Sequence, residues 1–163
     1  MNEEIRFRRP TEADHRVVVA QVDDWWGGRK VHQLLPRLWF QHFTGTSWIA
    51  EDAEGHPVGF LVGFVSPDRP DEAYIHMIGT SPNHRRAGLA RALYERFFED
   101  MRARGVRRVG AVTWPGNRVS VGFHRTMGFS PAEGPGAQHL YGTPAYPDYD
   151  ADGDDRVVFS REI

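Results

Sequence analysis

Arg85, Arg86 and Arg91 surround a glycine, Gly88, in the run RRAGLAR, directly ahead of a long amphipathic pattern. Core packing does not call for a basic cluster there. The first N–H groups of a helix are unpaired and carry partial positive charge, so a helix start ringed by cations can bind a phosphate-like anion. Gly88 has no side chain to hold a ligand away from the backbone, and Ala90 is small for the same reason. The motif is weak on its own: the Gly-Lys-Ser/Thr ending of a P-loop is missing, and so is the three-glycine dinucleotide pattern. A solvated surface cluster is the competing reading.

Other chemistry is narrowed by what the chain lacks. There is no cysteine among its 163 residues, which removes disulfides, thiolate nucleophiles and thiolate-bound zinc. The eight histidines show no paired ligand spacing, so no metal is expected. Asp148, Asp150, Asp152 and Gly153 match the first half of a calcium loop, but Phe159 stands where its bidentate Glu belongs. A solvated acidic turn and an acidic lid that attracts a cationic amine both remain open for that run. With 20 basic against 22 acidic residues, net charge −2, the chain has no overall pull toward nucleic acid or an anionic membrane. The apolar runs are too short to span a membrane and the acidic start does not resemble a secretion signal; a cytoplasmic location is expected.

The elements that must position these groups can be read from periodicity. IRFRRP (5–10) alternates as a half-buried strand, and Thr11 opens a helix with acidic residues in its first turn. Gly27 and Gly28 end it, and a second helical piece over 31–43 is kinked or split at Pro36. SWIAED and HPVGFLVGFVS form a hairpin, and EAYIHMIGTSP (72–82) is a fourth strand. Leu89, Leu93, Phe97 and Met101 recur every four residues along the next helix, which Gly105 terminates. A strand (107–114), a short helix (117–128), a long aperiodic loop (141–155) and a closing strand (155–163) follow. This order indicates one α/β domain, 1–163, built on a mixed sheet covered by helices, and so long a loop inside it suggests a lid or binding loop.

At this point RRAGLA (85–90), following a strand that ends in SP, resembles the acetyl-coenzyme A loop of the GNAT superfamily of N-acetyltransferases. NRVSVGFHRTMGF (117–129) resembles that family's second signature, and IRFRRPTEADHRVVV its first strand and helix. The resemblance covers most of residues 5–130 in order and spacing. It implies a mostly antiparallel central sheet of six to seven strands with about four helices, splayed between the fourth and fifth strands. Acetyl-coenzyme A (acetyl-CoA) would be the acetyl-donating cosubstrate. Backbone groups of Ile78, Gly79 and Thr80 would hold its pantetheine arm, N–H groups of Arg86, Ala87, Gly88, Leu89, Ala90 and Arg91, beside the Arg85 side chain, its pyrophosphate, and Asn117 the thioester end. The family commonly has Val where Thr80 stands. The acceptor would be an amine of a small molecule or peptide, attacked directly, and a homodimer is possible. A degenerate member that only senses acyl-CoA is the alternative.

Acetyl transfer to an amine is helped by a base near neutrality and by an acid for the departing thiolate. Many relatives have a Tyr as acid four residues before the Gly of the GF pair; here that position is His124, with Tyr141, Tyr146 and Tyr149 as reserves. His76, four residues before Thr80 on the fourth strand, shares its face by the two-residue period and is a candidate base, with Glu72 or a water chain as alternatives. On the acceptor side, Trp25 and Trp26 followed by two glycines suggest an aromatic surface on a mobile turn, suited to an apolar or cationic group, with Tyr146 as a further contact. Neighbouring helical residues point about 100° apart, so at most one of the tryptophans is expected to be fully buried.

Overall fold

The computed structural model describes residues 4–163, the side chains of Arg86 and Ala87 excepted. In chain order it contains β1 (Arg6–Arg8), α1 (Glu12–Trp25), a 3-10 turn (His32–Leu34), α2 (Trp39–His42), a second 3-10 turn (Thr44–Thr46), β2 (Trp48–Glu51), β3 (Pro57–Val65) and β4 (Glu72–Thr80). There follow a 3-10 segment (Pro82–Ala87), α3 (Leu89–Ala103), β5 (Arg108–Thr113), α4 (Arg118–Thr126), β6 (Ser130–Pro131), β7 (Gln138–Leu140), β8 (Thr143–Ala145) and β9 (Val157–Glu162). Pro36 divides the second helical stretch into two short pieces, as a residue without an N–H must. The aperiodic loop differs from expectation at its start, where β7 and β8 pair as a small antiparallel hairpin.

Seven strands form one sheet in the order β1-β2-β3-β4-β5-β9-β6. All neighbours are antiparallel except β4 and β5, whose parallel pairing covers only Glu72–Tyr74 against Arg108–Gly110. Beyond Tyr74 the two strands separate. This is the splayed mixed sheet expected, with four α-helices on its faces.

Each face of the sheet has its own core. The apolar stripe of α3, extended by Tyr94 and Phe98, packs on Leu61, Ala73, Ile75 and Val109. Val18, Val22 and Trp25 of α1 cover Ile49, Phe60, Val62 and Met77 on the other face. A buried Leu, Phe or Val side chain contributes about 1.5–3 kcal/mol, so two such layers account for the order of this sheet. Among the described residues no helix is long and apolar enough to cross a membrane.

One ion network ties the N-terminal elements together. The Arg8 guanidinium makes paired bonds to the Asp14 carboxylate (2.8 and 2.9 Å) and a third to Glu51 (2.6 Å), joining β1 to α1 and β2. Asp14 also accepts from the Thr11 N–H (2.7 Å) at the start of α1. Burial pushes the Asp14 pKa up, but bonds from Arg8 and Thr11 outweigh it and hold the carboxyl below its ordinary value. Its folded pKa is therefore depressed. The stabilisation is present above the unfolded carboxylate pKa, about 3.9, and is lost as pH falls through that range. Asp14→Asn should cost about 1–3 kcal/mol in denaturant unfolding at pH 7, and the gap from the parent should close at acid pH.

Candidate active site

The cofactor face of the site begins with a defect in β4. Val62 pairs with Met77 but Gly63 pairs with Ile75, so one residue, His76, is extra on β4 and forms a bulge. After the bulge, Ser81 N–H donates to Val58 C=O on β3 (2.8 Å). Peptide groups alternate along a strand, so those of Ile78 and Thr80 turn to the opposite edge, where β5 has departed. The Trp26 indole N–H confirms that direction by donating to Ile78 C=O (3.0 Å). A strand edge with unpaired backbone groups therefore opens onto a cleft of about 500 Å3.

Ile78, Gly79, Thr80, Arg85, Ala90 and Asn117 all line this cleft, as do Trp25 and Trp26. Gly79 has a packing reason to be glycine: a Cβ there would lie 2.6 Å from the Phe60 ring. Gly88 differs. Its φ of 70° is left-handed, it directly precedes α3, and a Cβ on it would meet nothing within 4 Å, so the space over the helix start is open. No acidic residue occupies the first turn of α3. Leu89 points into the core and Arg91 is exposed, while Arg85 donates to the Trp25 carbonyl and so joins the loop to the end of α1. The side chains of Arg86 and Ala87 lie outside the described residues.

Asn117 caps α4, its Oδ1 accepting from Ser120 N–H (3.2 Å), which leaves the amide N–H groups as its donors. Two turns on, His124 is buried and lines the cleft, stacked on Phe159 at 4.9 Å. Its Nδ1 lies 2.8 Å from Ser120 C=O, an acceptor only, so Nδ1 carries the proton. Nε2 then accepts from the Tyr94 hydroxyl at 2.9 Å. Burial lowers the His124 pKa despite the bond to Ser120, and burial raises that of Tyr94. The expected general acid is thus a neutral imidazole with both nitrogens engaged, an arrangement that suits holding α4 in place rather than giving up a proton.

The candidate base is also relocated. The bulge breaks the two-residue period, so His76 does not share a face with Thr80. Thr80 lies opposite Gly59, which faces Leu89 and Leu93 of α3. His76 instead stacks on Trp39 at 4.3 Å, donates from Nε2 to Leu34 C=O, and has its pKa lowered by burial. It does not line the cleft, and neither does Tyr146, whose hydroxyl accepts from Gly134 N–H (2.8 Å).

Together, an unzipped parallel pair, a glycine-led helix start and a capping Asn on α4 enclose one elongated cleft. The description "Acetyltransferase (GNAT) family" matches residues 13–129. The chain belongs to this family. It is 32% identical over 116 residues to an L-2,4-diaminobutyric acid acetyltransferase of Streptomyces coelicolor, covering 68% of this chain and 66% of that one. A protein of the same description from Nocardia farcinica is 27% identical over 117 residues, covering 72% of this chain and 60% of the relative's length. In fold, the chain is similar to a diaminobutyrate acetyltransferase from Paenibacillus lautus, solved with its substrate L-2,4-diaminobutyric acid and coenzyme A. That likeness has a TM-score of 0.70 at 24% identity over 98% of this chain and 96% of the other.

In this GNAT chain the acceptor wall is more constrained than the two glycines suggested. Trp25 is buried on Phe60 and Trp26 half-buried, in keeping with their angular separation. Asp23 closes the turn: its carboxylate accepts from the N–H groups of Val31 (2.8 Å) and His32 (2.9 Å), and its carbonyl from Gly28 N–H (2.8 Å). The acidic tail folds on itself, with Gly153 N–H on Asp148 (2.6 Å) and Arg156 on Asp150 (2.8 Å), and none of its carboxylates lines the cleft. Sequence reading missed Arg29, Ser120 and Phe123 in the wall, and Tyr94 behind it. Only Tyr94 carried a signal, as a hydroxyl inside an apolar helical stripe.

Gly88→Glu should lose only about 1–2 kcal/mol of stability to its left-handed backbone, yet abolish coenzyme A binding in calorimetry by placing negative charge in the anion seat. His124→Gln, which can donate and accept in the same pocket, should retain most turnover. His124→Phe should lose about 1–3 kcal/mol of stability because Tyr94 and Ser120 lose their partner. Because the folded His124 pKa is depressed, its stabilisation is full above about 6.5 and declines as pH falls below it. Abolished turnover in a fully stable His124→Gln would restore it as the acid.

Proposed function

We propose that this chain is an acetyl-CoA-dependent N-acetyltransferase whose acceptor is a primary amine of a small diamino acid, L-2,4-diaminobutyric acid or a close analogue. The observation that carries the reading is the open β4 edge beside the helix start of α3. A pantetheine arm has amides that can complete the missing strand pairing at Ile78 and Thr80, and a pyrophosphate can accept from the N–H groups around Gly88. The names of the relatives supply the acceptor class. No metal or acyl-enzyme is required.

In this reading the neutral amine attacks the thioester carbonyl directly. N–H groups of β4 beyond its bulge face the developing oxyanion, and Asn117 holds the thioester end of the cofactor. The tetrahedral adduct collapses with loss of the coenzyme A thiolate, a far better leaving group than the amide ion that the reverse collapse from a deprotonated nitrogen would need. The amine's proton is lost to solvent, since His76 faces Trp39 and the accepting nitrogen of His124, Nε2, is already taken by the Tyr94 hydroxyl. Alkylammonium groups have pKa values near 10.4, so kcat/KM should rise steadily with pH through neutrality, with no break from either histidine.

Thioester loss measured with L-2,4-diaminobutyrate should show multiple turnovers per protein. Coenzyme A binding without turnover across a panel of amino acids, diamines and peptides would indicate a sensor instead. His76→Gln should leave the pH profile unchanged, and loss of its alkaline rise would return His76 to the role of base.

A further inference from the structure

Arg29, just past the end of α1, lines the cleft. It follows the Gly27–Gly28 turn, whose φ angles of 70° and 86° are left-handed and whose ends are tied through Asp23. Its guanidinium carbon lies 5.4 Å from the ring of Trp114, just past the end of β5, so it reaches across the splay from the α1 side. Trp114 in turn meets Tyr141 edge-on at 5.5 Å, and both rings are substantially exposed, at 40% and 59%. Among the described residues no carboxylate pairs with Arg29, and no acidic residue lines the cleft. Arg85, the other cleft arginine, is held on the Trp25 carbonyl beside the cofactor loop.

A cleft with two guanidinium groups and no carboxylate repels a plain polyamine. A guanidinium lying on an indole face is weakly hydrated and keeps its N–H fork for a planar anion. We infer that Arg29 is the specificity-determining residue for the acceptor, binding a carboxylate of the amine substrate, so that the acceptor is an amino acid and its decarboxylated counterpart is refused. This rests on the acetyl-transfer reading and deepens it. It also goes against an acidic lid that attracts a cationic amine, one of the two readings left open for the tail run, because the tail carboxylates bond within their own loop and do not line the cleft. The carboxylate sits at the Trp114 side and the reacting amine reaches toward the thioester end near Asn117.

The test compares matched pairs: L-2,4-diaminobutyrate with 1,3-diaminopropane, and L-ornithine with 1,4-diaminobutane. Wild type should favour the amino acid of each pair. In Arg29→Gln the acceptor KM should rise at least about tenfold and the preference should vanish, with the acetyl-CoA KM and the melting temperature unchanged. Equal use of both members by wild type overturns the inference. So does a rise in the acetyl-CoA KM alone, which would make Arg29 a cofactor phosphate contact. If no amine is acetylated, the transfer reading fails by itself, and Arg29 is judged by calorimetry of the coenzyme A-loaded protein. Heat with the amino acids that is lost in Arg29→Gln supports the site, and no heat with either amino acid overturns it.

Discussion

The parallel pairing of β4 with β5 ends after three residues, and the working part of the molecule depends on that ending. Backbone N–H and C=O groups left without partners cost free energy unless water or a ligand completes them. Continuing the pairing would fill the cleft with backbone. Stopping it leaves Ile78 and Thr80 presenting peptide groups to an open groove, with the crossover helix α3 and its glycine-led start at one end. Trp26 satisfies one of those carbonyls from the side.

Cleft and core share walls. Gly79 is glycine because of Phe60, and His124 is fixed by Ser120, Tyr94 and Phe159. Residues that fall in a family's signature positions therefore need not do that family's chemistry. A buried histidine with a full complement of partners stabilises the short helix α4, whose cap, Asn117, lines the cleft. The nearly balanced total charge hides a local asymmetry: among the described residues two arginines and no acidic residue line the cleft, while the tail aspartates fold among themselves.

The element order, the α3 stripe, the division at Pro36 and the glycine-led start of α3 were legible in the sequence because each depends on local rules: periodicity, caps, and the conformational freedom of glycine. The resemblance to the GNAT signatures, carried by RRAGLA and the Asn-led helix, was legible for the same reason, since contiguous residues form both. The β7–β8 hairpin was not, having too few residues for its alternation to stand out.

What the sequence determined by itself was the kind of protein: a mixed sheet with a glycine-led helix start and no thiol chemistry. Tertiary structure alone decided which side chains face the cleft. A single extra residue in β4 turned His76 to the far face, where Trp39 and Leu34 hold it. The fold also brought Arg29, which lines the cleft, to Trp114 across 85 residues of chain, a pairing no spacing could predict. Local patterns encode backbone conformation, whereas a bulge and a cross-sheet contact depend on how distant segments pack.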